Sequence, residues 1–256
     1  MPESIDLMSI TTSWDDGNAL DLRLADLLNT YGVKGTFYIP KKGKDRSLSD
    51  EEVKQISNTG FEIGAHTLTH RELTTLSLSE AREEIRGSKA YLEDLLGREV
   101  TMFCFPRGKY DGRIIELVKE AGFTGARTVE AFTFLVPSDP FSLGTTLQVF
   151  PFPFNVTDRG KINLHQNILY PFFRACRPLR EIRSPVKGYL SFQGVAHVTL
   201  KHAEKIRGVW HLWGHSWEIE QFRMWRNLEK ILAGLKNCKA AYCSNGELLR
   251  SINEHR

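Results

Sequence analysis

Trp14-Asp15-Asp16-Gly17 sets two carboxylates side by side where a β-prone run, Ser9-Ile10-Thr11-Thr12-Ser13-Trp14, gives way to glycine. Neighbouring residues on an extended chain point to opposite sides, so one carboxylate can ligate a cation while the other faces a water beside it. Gly17 lets the chain turn away sharply. Asp-Asp-Gly by itself is commoner in surface turns, and a second group is needed to give it weight. His66-Thr67-Leu68-Thr69-His70 supplies one: histidines four residues apart share a face of a helical turn and can meet on one metal. Combined with Asp16 they form a two-histidine, one-carboxylate set that leaves positions open for water and substrate. Open coordination marks catalytic sites, since structural zinc is usually closed by four protein ligands. The set suits Zn²⁺ and also Fe, Co, Ni or Mn. A third stretch, His211-Leu212-Trp213-Gly214-His215-Ser216-Trp217-Glu218, places histidine at a strand end walled by tryptophans. An imidazole with its unperturbed pKa near ~6.5 suits a general acid. His215, beyond Gly214, is favoured over His211, which lies earlier in the run; a buried histidine with both nitrogens satisfied is the plain alternative.

Each stretch falls just past the C-terminal end of a β-prone run, where sites assemble in parallel α/β folds. After the first strand, Asn18 is placed to cap a helix through Asn29 with Leu20, Leu24, Leu27 and Leu28 on one face. Gly35 to Ile39 is a second strand stopped by Pro40. Ser49 and Glu52 have capping-box spacing, as do Ser77 and Glu80, the latter before a helix over 79–96 that Gly97 ends. Phe61 to Gly64, Thr101 to Phe105 and Phe123 to Thr128 read as further strands, with a helix from Asp111 to Gly122 before the last. From 129 to 190 the periodicity weakens, and Phe150-Pro151-Phe152-Pro153-Phe154 cannot be helical. A helix near 197–207, a strand at Val209 to Trp213 and a helix around 219–235 follow. Strands alternating with helices predict an α/β fold with a mainly parallel sheet.

Bulk properties narrow the function. The 256 residues, 41% hydrophobic and 25% charged, suit one globular domain over 1–256, with no internal repeat or linker. A net charge of +3 with scattered Lys and Arg argues against nucleic acid as a partner. Lys41-Lys42-Gly43-Lys44-Asp45-Arg46 is short, includes an acid and reads as a solvated loop. No run approaches the ~20 apolar residues of a membrane helix, and no basic segment followed by an apolar run opens the chain. Cys104, Cys176, Cys238 and Cys243 form no CxxC pair and fit reduced thiols, so the expectation is a cytoplasmic protein. The oligomeric state is left open.

Taken together, the motifs resemble the polysaccharide deacetylase (NodB-homology) family, the family four carbohydrate esterases, in order from about residue 9 to 235. The family's aromatic-Asp-Asp-Gly appears as Trp14-Asp15-Asp16-Gly17, and its His-Ser/Thr-x-x-His as His66-Thr67-Leu68-Thr69-His70. The resemblance implies a distorted (β/α) barrel, Asp15 as base, Asp16, His66 and His70 as ligands of a divalent metal, and His215 as acid. It also implies a hydrolase removing an acyl group, acetyl above all, from an N-acylated amino sugar or polysaccharide. The family's Arg-x-Pro-Tyr-Gly is only partly kept in Cys104-Phe105-Pro106-Arg107-Gly108. Cys104 stands in the arginine's place and Arg107 in the tyrosine's, so either Arg107 or Arg127 is left to approach Asp15. A backbone N–H of the 106–108 turn is the expected oxyanion donor, and Trp213 and Trp217 are candidate platforms for a sugar. The missing arginine keeps two alternatives in view: a hydrolase of small amides on the same metal, and a carbohydrate-binding protein without activity.

Overall fold

A computed structural model describes residues 7–43, 46–151 and 191–253. Its first half is a strict alternation: β1 (Met8–Asp15), α1 (Asp21–Thr30), β2 (Thr36–Ile39), α2 (Asp50–Asn58), β3 (Glu62–Ala65), α3 (Leu78–Leu96), β4 (Met102–Cys104), α4 (Gly112–Glu120) and β5 (Gly125–Arg127). There follow β6 (Leu147–Gln148), α5 (Phe192–Ile206), β7 (Val209–Gly214), α6 (Ser216–Gln221), α7 (Trp225–Leu235), β8 (Ala240–Tyr242) and α8 (Asn245–Asn253). The strands pair in parallel in the order β5-β4-β3-β2-β1-β7-β6, and β8 joins β1 beside its first residues. The segment 143–148 closes the ring, because Leu143 bridges to Arg127 while Leu147 and Gln148 pair with Leu212 and Trp213. The result is a distorted (β/α) barrel.

Local chemistry accounts for the helix ends. Ser49 with Glu52 and Ser77 with Glu80 form reciprocal capping boxes, and Asp111 accepts the Ile114 N–H at the start of α4. Gly97, at φ 64°, ends α3 in the left-handed conformation. Asn18 accepts the Leu20 N–H but stands three residues before α1 begins at Asp21; the N-cap is Leu20, which makes no side-chain capping bond, so Asn18 is not the cap expected of it. The single helix expected over 219–235 is two helices, broken where Arg223 takes φ 55°. The Phe-Pro run from residue 152 onward lies outside the described residues. No helix among those residues is long and apolar enough to cross a membrane.

Strand parity divides the core in two. Ile10, Phe37, Ile39, Ile63, Phe103, Ala126, Trp210 and Leu212 face outward and pack with the helices in one apolar cluster. Tyr38, Met102, Cys104, Leu143 and Val209 belong to a second, smaller cluster inside the barrel. That interior is partly polar: Ser13 Oγ pairs with His211 Nε2 at 2.9 Å, Tyr38 OH donates to Asn245 Oδ1, and Asn245 Nδ2 donates to Thr11 Oγ1. Gly64 makes room for the Tyr38 ring, since a Cβ there would fall 2.5 Å from it and 3.1 Å from the Met102 carbonyl oxygen. Gly64→Ala is therefore expected to cost about 1–3 kcal/mol through overpacking. Urea unfolding measures this, and an unshifted midpoint would contradict the close approach.

Candidate metal centre and buried ion pair

β1 delivers both carboxylates and then separates them. Asp15 is its last residue, in register with Tyr38, and its side chain turns into the barrel. Asp16 takes φ 80° and Gly17 φ 59°, a left-handed pair that swings the chain out of the sheet. Aspartate tolerates this region better than most residues. The turn brings Asp16 Oδ1 to 3.1 Å from His70 Nε2 and 3.7 Å from His66 Nε2. The other oxygen, Oδ2, accepts the Trp217 indole N–H at 3.0 Å.

The histidine loop is not the helical turn its spacing suggested. Thr67 and His70 take φ 65° and 56°, and Thr67 Oγ1 accepts the His70 N–H, so a tight loop brings the two rings to 4.7 Å between centroids. Helix α3 holds that loop from below. Buried Glu84 accepts both the N–H and the hydroxyl of Thr69, and Leu68 packs where a Cβ on Gly87 would stand. His66 Nδ1–H donates to the Cys104 carbonyl at 2.8 Å, which directs the lone pair of Nε2 toward Asp16. Burial pushes the His66 pKa down to about 4, so the ring is neutral and able to ligate. Burial works to raise the pKa of Asp16, but His70, His215 and His66 outweigh it and hold the group below the usual carboxylate range. Asp16 Oδ1 is buried without a well-formed hydrogen bond. Ligand atoms of Asp16, His66 and His70 all lie within 4.8 Å of one another. Electron-pair donors converging on one point, with an unsatisfied oxygen among them, fit a divalent cation.

Asp15, His66 and Cys104 also offer ligand atoms within 4.8 Å of one another, but their electrostatics oppose a cation. Arg127 Nη2 donates to Asp15 Oδ1, and Cys104 Sγ lies 3.8 Å from Asp15 Oδ2. Burial raises the Cys104 thiol well above its usual pKa, so it keeps its proton. Arg127 is wholly buried, with its guanidinium 4.7 Å from the Trp213 ring centroid and 5.3 Å from that of Tyr38. Of the two arginines left open by the sequence, Arg127 reaches Asp15. Arg107 is exposed, has φ 57°, and lies 4.0 Å from Glu72. The register explains the exchange: Arg127 is the cross-strand partner of Cys104, so a small side chain on β4 leaves room for a long one on β5.

His215 caps the short helix α6. Its Nδ1 meets Glu218 Oε2 at 2.6 Å, and its Nε2 lies 4.0 Å from Asp16 Oδ2. Glu218 also accepts from Gln148 Nε2. Burial works to lower the His215 pKa, but the Glu218 hydrogen bond and the Asp15, Glu218 and Asp16 charges push it up to about 8. His211 differs. Its Nδ1–H donates to the Gly144 carbonyl, its Nε2 accepts from Ser13, and burial pushes its pKa down to about 3. Both its nitrogens are satisfied inside the barrel. Trp213 is buried with its ring against Arg127, whereas Trp217 is half-buried and donates its indole N–H to Asp16.

Glu84 and Glu218 escaped the sequence reading, although each left a trace there. Glu84 falls on the same buried stripe of α3 as Ala81, Ile85, Ser88 and Leu92, where an acid needs a partner. Glu218 stands three residues past His215, one helical turn away.

A parallel α/β barrel with two imidazoles and a carboxylate at the C-terminal ends of its strands is an arrangement suited to a divalent cation. Residues 6–126, just under half of the chain, match the polysaccharide deacetylase family. The chain is 26% identical over 124 residues to YxkH of Bacillus subtilis, covering 47% of this chain and 44% of that one. It is 31% identical over 90 residues to a peptidoglycan-N-acetylglucosamine deacetylase of Bacillus cereus, covering 34% and 32%. The matched part thus spans less than half the length of these curated relatives. A solved structure from Mycobacterium smegmatis superposes with a TM-score of 0.69 at 14% identity, over 100% of this chain and 93% of that one, and shares the fold.

The Asp15–Arg127 pair generates a stability prediction. Arg127→Met leaves a buried carboxylate without its partner and is expected to cost about 3–5 kcal/mol at pH 7. Asp15→Asn in the same chain should restore most of that loss. Denaturant unfolding of the two single variants and the double variant measures the coupling, and a value under about 1 kcal/mol would place the pair with weak surface bridges.

Proposed function

We propose that this protein is a metal-dependent deacetylase that removes the acetyl group from an N-acetylated amino sugar of a polysaccharide. The observation that carries the reading is the unsatisfied Asp16 Oδ1 facing His66 and His70 beside a separately neutralised Asp15. Asp16, His66 and His70 would hold the ion; two imidazoles and a carboxylate suit Zn²⁺, and also Fe, Co, Ni or Mn. A divalent ion there supplies a Lewis acid for the acyl oxygen and for the attacking water. The named activity of the Bacillus cereus relative supports the choice of substrate class.

The remaining roles follow from the chain's own groups. Asp15 accepts a proton from the attacking water, and Arg127 holds its carboxylate in place through Oδ1. Within the 106–108 turn the Gly108 amide is committed to the Phe105 carbonyl, which leaves the Arg107 N–H as the oxyanion donor. His215 donates a proton to the departing amine. With its pKa pushed up to about 8 it is charged at neutral pH, and Glu218 on Nδ1 fixes Nε2 as the donating atom. Trp217 serves by holding Asp16, and Trp213 by flanking Arg127.

Release of acetate from N-acetylglucosamine oligomers by the metal-loaded protein is the direct test, and its absence across neutral and peptidoglycan-derived oligomers would refute the reading. Asp15→Asn should keep the metal while turnover drops by about 10²-fold or more; near-normal turnover would remove Asp15 as base. His66→Ala should lose the metal by elemental analysis. Glu84→Gln, which loosens the Thr69 loop, should weaken metal affinity by about 10–100-fold. A competing chromophoric chelator measures this, and unchanged affinity would deny Glu84 its supporting role.

A further inference from the structure

The side chain of Asp21 is wholly buried, yet neither carboxyl oxygen has a hydrogen-bond partner. Asp21 is the first residue of α1, and its N–H donates to the Asn18 carbonyl at 2.8 Å. Its carboxyl comes within reach of the Ser216 hydroxyl, which is equally buried and equally without a well-aligned bond. Ser216 opens α6. On one side of it is His215, the N-cap, and on the other is Trp217, whose indole holds Asp16. The two unsatisfied groups therefore connect the loop bearing the metal-ligating carboxylate to the turn bearing the proton donor.

Helix α6 needs an outside support. It has six residues, and its N-cap makes no side-chain capping bond because the His215 ring is engaged with Glu218. So short a helix is held by its surroundings rather than by its own hydrogen bonds. No cluster of metal-ligating groups among the described residues includes Asp21, so a second cation does not account for it. An ionised carboxylate without a partner is costly in such a place, whereas a protonated one is both donor and acceptor, as a serine hydroxyl is.

We propose that Asp21 is a positioning residue: as a neutral carboxylic acid it braces Ser216 and so fixes His215 and Trp217 against Asp16. The inference rests on the deacetylase reading only in taking His215 as the proton donor. The electrostatics agree with the geometry. Burial, together with the Asp16 charge, pushes the Asp21 pKa up to about 8 against the opposing pull of Ser216, His215 and the Asn18 backbone. The carboxyl therefore keeps its proton at neutral pH.

Metal-loaded wild type, Asp21→Asn, Asp21→Leu and Ser216→Ala test this together. The infrared spectrum of the wild type at pH 7 should contain a protonated-carboxyl C=O band that Asp21→Asn lacks; identical spectra overturn the neutral acid. In acetate release, Asp21→Asn, neutral and of the same shape, should keep kcat within about 3-fold. At saturating metal, Asp21→Leu and Ser216→Ala should lower kcat by about 10-fold or more with KM unchanged, as misplacement of a catalytic group does. Wild-type kcat in both of these variants, or an Asn variant as impaired as the Leu variant, overturns the positioning role. A crystal structure of Ser216→Ala or Asp21→Leu decides the same point without any activity, because His215 and Trp217 should be displaced from Asp16. Side chains that do not move refute the proposal even if no acetate is released by any of the four proteins, which would refute the deacetylase reading separately.

Discussion

Two adjacent carboxylates at the end of a buried strand repel each other and have lost most of their water, so each must find its own partners. Asp15 and Asp16 meet this constraint in opposite directions. Asp15 keeps the strand conformation, points into the barrel and is neutralised by Arg127. Asp16 takes a left-handed conformation, points across the strand ends and meets two imidazoles. The guanidinium pairs with Asp15 and sets it apart from the cluster of Asp16, His66 and His70. The division of labour at the site is thus a consequence of how β1 ends.

That division makes demands on the barrel interior. A buried guanidinium needs polarisable faces and space, and Tyr38, Trp213 and the small Cys104 provide them. Tyr38 can lie there because Gly64 has no side chain, and its hydroxyl is satisfied by Asn245 at the start of α8. Asn245 in turn reaches Thr11, two positions below Ser13, which is the partner of His211. These interior polar groups answer one another down to the first residues of β1, while Arg127 Nε is left without a hydrogen-bond partner. The larger share of the apolar burial lies in the outer cluster, where the helices cover the opposite faces of the same strands.

How much of this could be read from the chain depended on the range of the interaction. The capping boxes at Ser49 and Ser77 and the strand before Asp15 are set by neighbours in sequence, and they lie where the spacing put them. The region from Ala240 to Asn253 was not foreseen, because β8 is three residues long and its place is fixed by pairing with the far end of the chain. The histidine loop shows a subtler failure. A spacing of four residues brings two rings together on a helix, but here Thr67 and His70 achieve it with left-handed backbone, held by Glu84. The proximity was legible and the conformation was not. Trp213 was read by type as a surface for a sugar, while Arg127 lies over its ring. Only the three-dimensional neighbour of an aromatic ring tells which use it has.

The exchange of Arg127 for Cys104 changes how a missing motif residue should be weighed. Parallel strands lie about 4.7–4.9 Å apart, and a guanidinium is carried on a stem long enough to bridge that spacing. Cys104 and Arg127 are paired in register, so the same point above Asp15 is accessible from either strand. Position by position along the chain, the motif has lost its arginine; in space, the charge beside Asp15 is present and buried. The idea of a carbohydrate-binding protein without catalysis drew its support from that apparent loss. With Arg127 on Asp15 Oδ1 that support is removed: the charge is supplied from β5, beside the β4 position of Cys104.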